Sequence, residues 1–234
     1  MGNGRYEQQG VAMTCRSYEE YASMFSLADS DFAAGPVLDV AGGASSFTAE
    51  LSRAGVSAVA CDPAYDAPAE RLLANGMAEI EASTAKIAAL QDRFTWDYYG
   101  SVEEHKAGRI RSLSLFAEHY ERTAESDVYV AGRLPHLPFE DGRFGLVLCS
   151  HFLFLYEEQF DFEFHKAAVA ELLRVCKQGG QVRIYPLLNF KWERYGELDA
   201  LLDELRRSGS EARLIPSRLP FIPGSRDLLV IHKP

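Results

Sequence analysis

The sequence predicts an α/β fold: a seven-stranded, mostly parallel sheet with helices on both faces, a helical insertion after strand 2 and an antiparallel closing hairpin. Three observations lead there. Short apolar runs of strand length recur along the chain, of the kind that a sheet covered on both faces requires. Segments with the 3.6-residue apolar period of amphipathic helices lie between them. Glycines and an acidic residue stand just past the first two runs, where the turns of open α/β sheets meet their ligands. The chain has 234 residues, enough for one domain with a substantial core. No repeat, low-complexity tract or linker divides it, so residues 1–234 are expected to form a single domain.

In order, SYEEYASMFSL (17–27) places Tyr18, Tyr21, Met24 and Phe25 on one helical face. GPVLDVA (35–41) is the first strand, and Ser45 or Ser46 can cap the helix FTAELSRAG that Gly55 ends. VSAVACD (56–62) is the second strand, completing a parallel, right-handed βαβ unit. The rhythm breaks over 66–126, where two helical stretches, the first with Gly76 as a weak point, flank the aromatic FTWDYYG. An insertion of that length reads as a cap or lid on the substrate side. Strands resume at DVYVAG (127–132) and FGLVLCS (144–150), joined by LPHLPFEDGRF with a turn at Asp141-Gly142. FHKAAVAELLRVCKQGG is a helix stopped by Gly179-Gly180, and QVRIYPLL a strand stopped near Pro186. The helix GELDALLDELRRSG and the strands EARLIPS and RDLLVIHKP close the fold. Residues up to about Met13 are expected to fray.

Composition narrows the function. The formal net charge is -10 and no Lys/Arg run offsets it, so a nucleic-acid backbone is disfavoured and a small-molecule substrate is the expected partner. The four cysteines show no C-x-x-C pair and no histidine at metal spacing, which points to no metal, no disulfide framework and reduced, inert thiols, Cys61 and Cys149 among them. The first residues lack a signal-peptide core and no run is long and apolar enough for a bilayer, so a cytoplasmic, non-membrane protein is expected. The oligomeric state is not legible.

The stretch LDVAGGASSF carries the chemistry. Ala41, Gly42, Gly43, Ala44 and Ser45 are small enough for a ligand to approach the backbone, and free N–H groups at the helix start favour a carboxylate or phosphate. Asp62, about twenty residues past the turn, has the separation at which an acid meets ribose hydroxyls. Dinucleotides and S-adenosylmethionine both fit so far. The dinucleotide fingerprint needs glycines at 41, 43 and 46, and the chain has Ala41, Gly43 and Ser46.

With Asp39-Val40-Ala41-Gly42-Gly43-Ala44-Ser45, CDPAY, LPHLPFEDGRFGLVLCSHFLFL and AELLRVCKQGGQVRI in this order, the chain resembles the class I S-adenosylmethionine-dependent methyltransferases. The resemblance spans roughly residues 35–65 and 127–234. The combination AGGASSF, CDPAY, SHFLFLY and RVC with VRIYPLL looks like one bacterial branch of uncharacterised methyltransferases. The chain departs from the family at Ala41 and Ser45, where glycines are usual, at Arg133, where an acid borders the adenine, and at Gly145, where an Asp is common.

The resemblance implies a Rossmann-like fold, with S-adenosyl-L-methionine as cofactor and S-adenosyl-L-homocysteine as product. It implies that Asp39 faces the methionine ammonium, that Ala41 to Ser45 pass beneath the cofactor, and that Asp62 with Pro63 holds the ribose. Arg133 and Leu134 would border the adenine, Ser150 and His151 would lie nearest the methyl, and the helix bearing Tyr21 would cover the site. The expected reaction is in-line displacement at the sulfonium methyl by a small-molecule acceptor, with His151, whose ordinary pKa is near 6.5, as candidate general base. Other readings are a loop-fixing role for His151 and core roles for the Tyr21 stripe. At the level of function they are a non-catalytic or regulatory protein binding the same cofactor, and an NAD(P)-binding oxidoreductase.

Overall fold

The computed structural model describes residues 10–234. Seven strands form one sheet among them: β1 (Val37–Val40), β2 (Ala58–Cys61), β3 (Tyr129–Val130), β4 (Phe144–Ser150), β5 (Cys176–Tyr185), β6 (Glu211–Pro216) and β7 (Asp227–His232). Their spatial order is β3-β2-β1-β4-β5-β7-β6. Every pairing from β3 to β5 is parallel, and β7 runs antiparallel to both β5 and β6. The helices are α1 (Tyr18–Met24), α2 (Phe47–Arg53), α3 (Ala69–Ala89), α4 (Val102–Arg122), α5 (Phe162–Val175) and α6 (Leu198–Arg207).

The period-2 alternation of the strands divides the core between two layers. Leu38, Val40, Val147, Cys149, Val182 and Ile184 face the helices α5 and α6, meeting Leu172, Leu198 and Leu201. Val37, Leu146, Leu148 and Val230 face the other way, onto Tyr21, Phe25, Phe47 and Leu51 of α1 and α2. At the α1–α2 contact the rings of Tyr21 and Phe47 stack at 4.4 Å. The seven-residue α1 is too short to stand on propensity; a reciprocal cap starts it, with Glu20 N–H donating to Ser17 Oγ and Ser17 N–H to Glu20 Oε2.

The stretch 66–126 folds as the antiparallel helix pair α3–α4, packed through Leu72, Ile80, Leu113 and Phe116 onto Ala60 and Tyr65. Gly76, expected to weaken the first of these helices, lies within an unbroken α3. A Cβ there would come within 2.6 Å of Leu113 Cδ1, so the missing side chain is what lets the two helices meet. Two other boundaries move. The third strand shrinks to Tyr129–Val130 at the sheet edge, and α5 stops at Val175 because Cys176 already pairs with Phe144 in the β4–β5 ladder.

Gly145 departs from the family for a steric reason. Its N–H donates to Pro36 O at 2.8 Å as the segment before β1 crosses β4, and a Cβ would lie 2.5 Å from the backbone carbon of Ala34. An aspartate side chain has no room at that crossing. The loop between β3 and β4 is tied down just as locally: Arg174 of α5 donates to the carbonyls of Leu137 and Phe139 at 3.1 and 2.8 Å, and Glu171 accepts the Leu137 N–H at 2.6 Å. Those bonds fix the chain that carries Arg133 and Leu134.

Candidate functional site

β1 lies between β2 and β4, so the strand order reverses there, and the carboxyl ends of the three strands converge on the glycine turn. Ala41 adopts φ 57°, the left-handed conformation for which the family uses glycine; the backbone shape survives the substitution. The N–H groups expected to be free are not. Gly43 N–H donates to Asp62 Oδ2 at 3.0 Å, Ala44 N–H to Thr14 O at 2.9 Å, and Ser46 N–H to Arg16 O at 3.0 Å. Ser45 Oγ accepts from Phe47 N–H and donates to Arg16 O. The Ala44 and Ser46 donors are thus met by residues 14–16, which run across the turn as a strap. Gly43 is needed for that crossing, since a Cβ would stand 2.9 Å from both N and O of Thr14. Residues 12 and 13, expected to fray, are held as well: Ala12 N–H donates to the Tyr156 hydroxyl at 2.8 Å and Met13 is half-buried.

Two cavities flank the strap, and Ala12 and Met13 line both. The first, of about 380 Å³, is floored by Val40, Ala41, Asp62 and Pro63 and walled by Arg133 and Leu134. Phe152, Phe160 and Phe164 close its far side. Asp62 also accepts the Ala64 N–H at 2.9 Å; burial raises its pKa and the two backbone donors hold it back. A carboxylate accepts about four hydrogen bonds, so Asp62 keeps capacity for ribose hydroxyls after these two. An apolar cleft with one carboxylate on its floor fits a nucleoside. The second cavity, of about 110 Å³, is lined by His151, Arg16, Arg109 and His105 and by the rings of Phe94, Trp192 and Phe221. Glu79, Ile80, Ser83 and Ile87 of α3 complete the wall supplied by the 66–126 stretch.

The remaining residues singled out from sequence sit behind these surfaces. Asp39 is wholly buried beneath the turn, accepting the Tyr21 hydroxyl at 3.1 and 3.2 Å. Burial pushes its pKa up to about 8, against the Tyr21 bond and with a small addition from Asp62. Gly42, Gly43, Ala44, Ser45 and Tyr21 line neither cavity. Ser150 lines neither as well; its Oγ lies 2.9 Å from His151 Nδ1 and fixes that ring. His151 stands at φ 50° with its N–H donating to Tyr185 O at 2.7 Å. Burial, then the charges of Arg16 and Arg109, hold its imidazole neutral, well below the ordinary pKa.

Sequence reasoning missed Arg16, His105 and Arg109. Arg109 forms an ion pair with Glu20 at 2.6 Å and donates to Cys15 O at 3.0 Å and to the Tyr99 hydroxyl at 3.2 Å, joining α4 to α1 and to the strap. The available signal was the arginine itself, on the otherwise apolar i, i+4 stripe Arg109, Leu113, Ala117 of α4. Among the described residues no group of His, Cys, Asp and Glu could hold a metal ion, and no helix is long and apolar enough to cross a membrane.

Comparison with known proteins agrees with this geometry. The family described as "Methyltransferase domain" matches residues 110–184, the span from α4 to β5. An uncharacterised protein of Methanocaldococcus jannaschii is 30% identical over 219 residues, covering 93% of this chain and 94% of its own. Among solved structures, an O-methyltransferase family protein from Burkholderia thailandensis superposes with a TM-score of 0.52 at 14% identity, over 92% of this chain and 55% of that one. A putative S-adenosyl-L-methionine-dependent methyltransferase from Methanococcus maripaludis is also similar, at TM-score 0.40 and 13% identity, over 92% of this chain and 83% of that one. With the 3-2-1-4-5-7-6 sheet, the acid-tipped β2 and the small-residue turn after β1, the methyltransferase-domain match identifies the chain as belonging to the class I S-adenosylmethionine-dependent methyltransferase family.

Proposed function

We propose that the protein transfers a methyl group from S-adenosylmethionine to a small-molecule acceptor. The observation that carries this reading is the pairing of two unlike cavities across Met13: a nucleoside-sized cleft on Asp62 and an aromatic, arginine-bearing chamber beside His151. When bound, the cofactor supplies a methyl on a positively charged sulfur, already a strong electrophile. The chain's own contribution is alignment and exclusion of water. Asp62 and Pro63 would hold the ribose, Leu134 and Arg133 would border the base, and Ala41 would let the backbone approach. His151 lines the second cavity and, kept neutral, accepts a hydrogen bond from an acceptor hydroxyl or amine there; the same burial and arginine charges oppose its becoming an imidazolium. The net charge of -10 favours a cationic cofactor over an anionic polymer.

A second reading, a non-catalytic protein binding the same cofactor, is favoured by one observation: the strap takes the donors of the turn for itself. Calorimetry with S-adenosylmethionine, S-adenosylhomocysteine and NADH separates the outcomes. Micromolar binding of the first two, weakened about tenfold or more in Asp62→Ala through the loss of charge-assisted bonds, is expected. Absence of binding below millimolar concentration, or binding of NADH instead, would refute the proposal; binding with His151→Ala and the parent equally inactive on every acceptor tried would favour the second reading.

A further inference from the structure

The second cavity is short of hydrogen-bond acceptors. Arg16 Nη1 is buried and has no partner among the described residues, and the same holds for His105 Nδ1. His105 is 3% exposed, and its Nε2 lies 3.2 Å from Arg109 Nη2, a group that can only donate. Nε2 therefore accepts, and the ring proton resides on Nδ1. Both partnerless atoms are donors, and both residues line the cavity. A buried donor without an acceptor is costly, more so when charged, which makes this pair a site awaiting an acceptor.

Charge sets the class of that acceptor. The guanidinium of Arg109 is matched by Glu20 at 2.6 Å, whereas no carboxylate reaches Nη1 of Arg16. Glu79, the carboxylate on the cavity wall, lies in the field of Lys86, and burial raises its pKa toward the neutral form. His105 and His151 are both held neutral by burial and by the two arginines. One unmatched positive charge and two donors suit a monoanion with two oxygens. Shape sets the rest: Phe94 and Phe221 stack at 4.8 Å, Trp192 meets Phe94 edge-on at 5.4 Å, and Ile80, Ile87 and Ile222 add apolar wall. A volume of about 110 Å³ is on the scale of a one-ring ligand, since an apolar cavity of about 150 Å³ holds benzene.

We infer that this cavity binds the methyl acceptor and that the acceptor is a small planar carboxylic acid. Its carboxylate lies against Arg16 and His105, and its ring against Phe94, Trp192 and Phe221. The inference rests on the methyl-transfer reading, because Ala12 and Met13, which line both, place this cavity next to the nucleoside cleft.

The test is calorimetric titration of the protein, with and without saturating S-adenosylhomocysteine, using benzoate and its neutral isostere benzamide as probes. Benzoate should bind about tenfold or more tightly than benzamide, the margin of a charge-assisted bond over a neutral one. Arg16→Gln should erase that preference while leaving the affinity for S-adenosylhomocysteine within about twofold. His105→Phe, which keeps the ring against Tyr99 and Phe221, should reduce the preference, and Arg16→Lys should retain part of it, which separates lost charge from lost folding. No benzoate preference in the parent, a preference that survives Arg16→Gln, or a tenfold fall in S-adenosylhomocysteine affinity with benzoate binding untouched would each overturn the inference; the last would assign the arginine to the cofactor. A parent that prefers benzoate and binds no S-adenosylhomocysteine would refute methyl transfer and leave the carboxylate site standing.

Discussion

Asp39 is a buried carboxyl with one hydroxyl donor and no cation, and its replacement by asparagine isolates what that arrangement does to stability. In the folded chain its pKa is raised from 3.8 to about 8, so the native state keeps the proton up to about pH 8 while the unfolded chain loses it near 3.8. The sign follows: the stabilisation from the protonated group is complete below about pH 4 and is lost as pH rises through 8. At 1.36 kcal/mol per pKa unit, the loss is on the order of 4 kcal/mol at pH 7 and about 6 kcal/mol above pH 9. An asparagine in its place would never ionise, and the amide carbonyl can still accept the Tyr21 hydroxyl. Thermal melts of parent and Asp39→Asn from pH 5 to 9 at constant ionic strength should therefore diverge. The variant should gain roughly 10 °C on the parent between pH 5 and pH 8, at about 2–4 °C per kcal/mol for a chain of this size. The raised pKa of Asp62 is present in both proteins, so only its small coupling to Asp39 enters the difference. Parallel melting curves across that range would refute the reasoning, because they would mean that Asp39 is ionised in the native state or reaches water.

Gly145→Ala should cost about 3 kcal/mol or more, since its Cβ would fall 2.5 Å from Ala34 backbone that has no rotamer with which to yield; chemical denaturation reads the loss, and an unchanged midpoint would mean that the 29–34 segment shifts freely. Arg174→Gln should loosen the β3–β4 loop by removing its bonds to Leu137 O and Phe139 O, at a cost of about 1–3 kcal/mol. Hydrogen exchange should rise over residues 133–143 and leave α5 unaltered, and exchange rising uniformly would contradict a local tether.

Most of the sheet was legible because its code is local. The runs 35–41, 56–62 and 144–150 are apolar on both faces, and that alone specifies a parallel strand under two helical layers. Of the small residues after β1 only Ala41 lies on the larger cavity, which the acid after β2 also floors. What sequence could not supply was pairing between distant segments. Nothing local in Thr14 or Arg16 says that their carbonyls lie on the start of α2, nor that Ala34 crosses Gly145. Backbone carbonyls carry no residue code, so a segment that binds through them leaves no motif. The same holds for the second cavity, assembled from the strap, α3, α4, the loop after β4 and the stretches holding Trp192 and Phe221. Its arginines declare a charge, while the absence of an acceptor appears only when all walls are in place.

The strap also changes what affinity means at the glycine turn. Thr14 O and Arg16 O are tethered to the donors they occupy, so any ligand group reaching for Ala44 or Ser46 N–H meets a rival that never dilutes. Its measured dissociation constant becomes the intrinsic one divided by the fraction of chains whose strap is lifted. The Tyr156 hydroxyl, which accepts the Ala12 N–H just ahead of the strap, is one of the groups that set that fraction.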